Sequence, residues 1–101
     1  MIFIDDDEEA YIYSNSHQVA KLKDNMIELA EEPRSIDYAP SWVLEDSDKK
    51  FEEGSFMHKY RGKYIYSYSN WQADDTTAYY GIGESPYGPF EWQGDLAPAT
   101  R

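Results

Sequence analysis

The chain has 101 residues, 29% of them charged and 17% aromatic, with a formal net charge of −11 and no cysteine. This length suits one small domain, and the aromatic side chains bury enough area each to build a core despite the charge. The acidic excess argues against nucleic acid or an anionic membrane as a partner, the lack of cysteine excludes disulfides and thiolate metal sites, and no apolar run is long enough to span a bilayer.

Met1 to Asp5 is apolar and weakly alternating, and reads as a strand. It has neither the basic segment nor the long apolar stretch of a signal peptide, and extracellular, periplasmic and cytoplasmic settings all stay open. Asp6 to Glu9 is an acidic turn. Clustered carboxylates suit a hard cation, but the ligand spacing and glycine of a calcium loop are missing, so a solvated turn is the better reading and no metal or other cofactor is expected. Ala10 to Ser14 is a second strand, Asn15-Ser16-His17 a turn, and Gln18 to Lys23 a third strand. His17 could serve as a ligand or a base, but as a lone loop histidine it reads as neither, and His58 reads as structural.

From Lys23 to Glu31 two patterns compete. Val19, Leu22, Met26 and Leu29 fit a helical face, and Pro33 would end such a helix. The alternative is a turn at Asp24-Asn25 followed by a fourth strand over Glu31 to Asp37, and it is preferred because it completes a four-stranded unit. Residues 39–52, with Trp42 and two turn signals, read as a linker. A second set of strands follows: Glu53 to Tyr60, Lys63 to Ser69, Thr77 to Gly83 and Phe90 to Gly94. The Pro and Gly of Ser85-Pro86-Tyr87-Gly88-Pro89 enforce a turn between the last two.

The two halves echo each other. A shift of 53 positions sets Phe3 on Phe56, Tyr11 on Tyr64, Ile12 on Ile65, Tyr13 on Tyr66 and Ser14 on Ser67, without a gap. Self-similarity at this period is the mark of a repeat architecture such as propeller blades. The fold expected is all-β: two consecutive four-stranded antiparallel blades, over residues 1–38 and 53–96, with 97–101 opening the next connection.

Several motifs then occur in a telling order. They are Phe3-Ile4-Asp5-Asp6-Asp7, Ala10-Tyr11-Ile12-Tyr13, Glu32-Pro33-Arg34, Glu53-Gly54, Met57-His58-Lys59, Gly62 to Ser69, and Ser85-Pro86-Tyr87-Gly88-Pro89-Phe90. This series resembles glycoside hydrolase family 43, whose members are five-bladed β-propellers acting on arabinan and xylan. The resemblance implies that the chain is a partial propeller of about two blades, the first truncated at its start. It implies an arabinose- or xylose-containing glycan as the carbohydrate partner.

The family's general acid is a glutamate just before a glycine, which falls on Glu53, or on Glu52 if the register slips by one. Its base and its acid-tuning aspartate belong to segments before Met1, and a histidine segment to the region past Arg101, so the chain alone is expected to be inactive. Ser55 and Glu8 stand where the family often has proline and the turn glycine. Inverting hydrolysis needs an acid and a base about 6.5–9.5 Å apart.

If Glu53 opens the innermost strand at the catalytic mouth, strand direction brings Asn15 to His17, residues 38–52 and the loop Asn70 to Asp75 to that end. This marks Trp71, and secondarily Trp42, as rings to stack on a sugar, with packing between blades an equal reading for Trp71. Asp37 or Asp74 would be the substitute base should the isolated chain prove active. Two other classes compete: a carbohydrate-binding β module without catalysis, and an interaction protein built on two blades. Uncovered outer blade faces would favour self-association.

Overall fold

The computed structural model describes residues 1–14, 17–47, 49–51, 53–70 and 77–95. The strands are β1 (Ile2–Ile4), β2 (Ala10–Tyr13), β3 (Gln18–Lys21), β4 (Arg34–Ser35), β5 (Glu53–Tyr60), β6 (Lys63–Asn70), β7 (Thr77–Gly83) and β8 (Phe90–Asp95), with one helical turn, α1 (Ser41–Leu44), between β4 and β5. They form two antiparallel four-stranded sheets, in the orders β1-β2-β3-β4 and β5-β6-β7-β8. The all-β, two-sheet architecture expected from the sequence is the one observed.

Local chemistry explains the hairpins. Tyr60 pairs with Lys63, leaving Arg61 (φ 52) and Gly62 (φ 79) as a two-residue turn with positive φ at both positions, a form whose twist suits adjoining strands. The acidic turn is longer. Ile4 pairs with Ala10, and the Asp5 carboxylate caps the Asp6 N–H while Asp7 accepts from the Glu9 N–H. Glu8 takes φ 69, the left-handed region that favours glycine.

This difference corrects the gapless alignment of the two halves. Phe3 lies opposite Tyr11, whereas the residue opposite Tyr64 is Lys59, so Lys59 and not Phe56 occupies the place of Phe3. The match of β2 with β6 holds, with Tyr11 and Tyr64, and Tyr13 and Tyr66, buried alike. The first turn spans residues 5–9 and the second only 61–62, and that length difference absorbs the slip.

Between β3 and β4 the turn prevails over the helix. Lys23 N–H donates to the Glu28 carbonyl, Leu22 bridges Leu29, and the Asn25 side chain accepts from the N–H groups of Ile27 and Glu28. The expected fourth strand shortens to Arg34–Ser35, consistent with Pro33 having no N–H for a ladder. The helical turn α1 was not foreseen. It places Val43 fully in the core.

The core lies between the sheets. Tyr11, Tyr13 and Val19 meet Met57, Tyr64, Tyr66, Tyr68, Tyr79 and Phe90, and the linker adds Ile36, Tyr38, Val43 and Phe51. A core rich in tyrosine must satisfy its hydroxyls. Tyr13 donates to the Pro86 carbonyl (2.7 Å), Tyr66 shares a bond with Ser55 (2.6 Å), and Tyr68 donates to the Lys49 carbonyl (2.6 Å). Each hydroxyl thus ties a strand to a neighbouring segment.

Candidate functional site around the head of β5

Glu53 is the first residue of β5, and its backbone pairs with Ser69. The register then shifts before Phe56, an irregularity of the kind that re-aims a strand. Gly54 inside it has φ +76, and a Cβ there would lie 3.4 Å from Ser69 Oγ. Glycine after Glu53 therefore avoids the backbone strain that any side-chain-bearing residue would carry there, and a Cβ would sit at ordinary contact distance from Ser69.

The approach to Glu53 is held from three sides. Tyr38 Oη accepts from the Phe51 N–H at 2.8 Å. Tyr68 donates to the Lys49 carbonyl and itself accepts from Trp92 Nε1 at 2.9 Å. Asn70, the last residue of β6 and 0% exposed, donates through its amide to the carbonyls of Ser47 (2.9 Å) and Lys50 (2.7 Å). Burial pushes the phenols of Tyr38 and Tyr68 upward, so both stay neutral donors and acceptors around neutrality. The His17 ring packs 5.6 Å from both Tyr38 and Phe51, which brings the turn before β3 to the same end as the linker.

The acidic turn and the Arg61-Gly62 turn meet at the other end. Lys59 Nζ lies 3.2 Å from Asp5 and 2.9 Å from Asp6, and the Tyr64 hydroxyl donates to Asp5. Burial would raise the Asp5 carboxyl, but the bonds from Tyr64, the Asp6 N–H and Lys59 outweigh it and hold it below the usual aspartate value. Among the described residues no group of three or more His, Asp or Glu is placed to hold a metal ion. The Asp5–Asp6 pair is engaged with a lysine instead.

The other expected site residues separate. Trp42, on α1, is 57% exposed and stands edge-on to Trp92 of β8 at 5.3 Å. β8 is three strands from β5, about 14 Å at the usual strand spacing. Asp37 is also near β8, where its carbonyl accepts from the Phe90 N–H. Trp71, Asp74 and Glu52 lie outside the described residues, as does most of the loop Asn70 to Asp75. His58 is half-buried on β5. Asn70, Tyr68 and Tyr38 were missed from the sequence, although an asparagine closing a tyrosine-rich strand is itself a signal, since asparagine is disfavoured in strands.

No family model matches the chain. A xylosidase/arabinosidase of Bacteroides ovatus is 42% identical over 81 residues, covering 76% of this chain and 24% of that protein. Xylosidase/arabinosidase 43A of Humicola insolens is 43% identical over 84 residues, covering 78% of this chain and 25% of that protein. The chain thus spans about a quarter of the length of the curated relatives it matches.

Solved structures agree. A family 43 β-xylosidase/α-arabinofuranosidase from a compost microbial metagenome, in complex with xylotriose, superposes with a TM-score of 0.82 at 25% identity, covering 94% of this chain and 39% of that one. A family 43 enzyme of Xanthomonas citri complexed with xylose gives 0.78 at 27% identity, covering 94% and 38%. The chain is similar in sequence and in fold to part of the glycoside hydrolase family 43 propellers.

Proposed function

We propose that this chain, alike in sequence and fold to glycoside hydrolase family 43 enzymes, supplies the general acid of an inverting glycosidase that cleaves arabinose- or xylose-containing hemicellulose. Glu53 is that acid. The observation that carries the reading is the Glu53-Gly54 pair at the head of β5, where the backbone at position 54 favours glycine and the preceding linker is anchored by Asn70, Tyr68 and Tyr38. A proton donor must be held in place relative to the leaving oxygen, because small misplacement costs rate heavily.

The division of labour follows from the chemistry. Glu53 protonates the leaving oxygen, while a second, ionised carboxylate on the opposite side of the sugar activates water. That base and the aspartate that tunes the acid are contributed by other blades, and Trp71 is the ring proposed to stack on the sugar. The chain by itself is therefore expected to be inactive.

The test compares aryl xyloside and aryl arabinofuranoside with unactivated oligosaccharides, in a complete propeller carrying this segment. Glu53→Gln should slow substrates with poor leaving groups by about 10²–10⁴-fold. Activated aryl glycosides, whose departure needs little protonation, should suffer much less, and Glu52→Gln should change little. Equal losses for both substrate types would count against the acid role.

A further inference from the structure

A second concave feature lies away from the head of β5. Where the chain leaves β4 and passes the start of β8, an open trough of about 490 Å³ runs between Asp37, Pro40, Pro89, Phe90, Glu91 and Trp92. Its floor is braced by the Phe90 N–H of β8, which donates at 2.8 Å to the carbonyl of Asp37, just past β4. Its aromatic wall is rigid. Trp92 stacks on Tyr79 (5.6 Å, 29°), donates its indole N–H to Tyr68, and meets Trp42 at a near right angle (87°). Trp42 adjoins this wall and keeps more than half its surface open.

The lining chemistry selects a ligand class. Proline and indole surfaces offer an apolar plane, and the exposed Asp37 and Glu91 stand as hydrogen-bond acceptors at the rim. Among the described residues none that lines the trough is cationic, so an anionic ligand would meet two carboxylates there. A neutral sugar suits both surfaces: its C–H face packs on indole, and its hydroxyls donate to carboxylates. A wall already fixed by stacking and hydrogen bonds loses little conformational freedom on binding.

We propose that this trough, with Trp42 and Trp92 as its aromatic platform, is a second carbohydrate-binding site for a neutral pentose chain, separate from Glu53. The choice of pentose rests on the glycosidase reading above, and the neutral-sugar chemistry rests on the trough itself. The site would hold polysaccharide against the outer edge of the second sheet while another stretch of the same polymer reaches the mouth.

The experiment titrates xylotriose into the chain and follows the indole N–H resonances of Trp42 and Trp92. Saturable shifts of both are expected, retained in Glu53→Gln. Trp42→Ala should weaken binding about tenfold, the equivalent of one lost aromatic contact. Silent Trp42 and Trp92 signals overturn the site. If other residues shift in that case, the sugar binds elsewhere and the glycosidase reading survives. Should the chain self-associate, retention on insoluble xylan is compared for the parent, Trp42→Ala and Asp37→Asn, and equal retention of all three overturns the proposal. Failure of the glycosidase reading is seen separately, in the turnover of Glu53→Gln.

Discussion

Glu8 holds a backbone conformation that costs a side-chain-bearing residue about 1–2 kcal/mol. Glu8→Gly removes that cost while adding some freedom to the unfolded chain. The expected net gain is about 0.5–1 kcal/mol, read as a rise in the urea midpoint at unchanged slope. A loss of stability would show that the Glu8 side chain contributes more than its backbone costs.

Asp5 offers a second measurement at this scale. Its carboxyl is held below the ordinary aspartate value in the folded state. A lowered folded value means that the contribution is fully present above the unfolded value, and is lost as pH falls through that value and on through the folded one. Tyr64→Phe removes one of the bonds responsible. It should therefore destabilise most near neutrality, and the gap from the parent should narrow in acid. Urea midpoints measured from neutral pH to about pH 3 decide it, and a gap that stays constant would mean that Tyr64 acts through packing alone.

Among the elements, the linker before β5 has two of its carbonyls held by one side chain. Asn70→Ala leaves the carbonyls of Ser47 and Lys50 without the amide that now serves both. The expected cost is about 2–3 kcal/mol, with hydrogen exchange accelerated at residues 49–51 before the rest of the sheet. Uniform acceleration across β5 and β6 would place the role of Asn70 in the sheet instead.

This linker also marks where sequence reasoning stops. The strands β5 to β8 were legible to within a residue or so because aromatic and β-branched runs alternate between sharp turn signals, with Arg61-Gly62 the clearest. The turn after β3 was legible less well, because Leu22, Met26 and Leu29 fall at helical spacing, and only the pairing of Leu22 with Leu29 across the turn overrides it. The clamp on Ser47 to Phe51 was invisible, since its partners lie 13 to 23 residues away. The slip between Phe3 and Lys59 was hidden because the turn after β1 is longer than the turn after β5, and chance identities fall in line across it.

At the level of the whole molecule, the two sheets bury one face each and leave apolar side chains on the others. Ile2 and Ile4 are 45% and 57% exposed on β1, and Phe56 and Tyr60 are 51% and 58% exposed on β5. Apolar surface of this kind seeks cover. The isolated chain is expected to self-associate, with a weight-average mass in sedimentation that rises with concentration. A concentration-independent monomer with a sharp, high melting transition would refute this.

The tyrosine hydroxyls that lace strands to linker and turns have a consequence in alkali. Burial pushes the phenols of Tyr13, Tyr66 and Tyr68 far above the value of a free tyrosine. The unfolded chain would release those protons near the ordinary value of about 10, so the native state loses ground steadily once the pH rises past it. Phenolate absorbance from these laced rings should therefore climb in a single abrupt step as the two sheets come apart, so the colour change becomes a direct optical record of their separation.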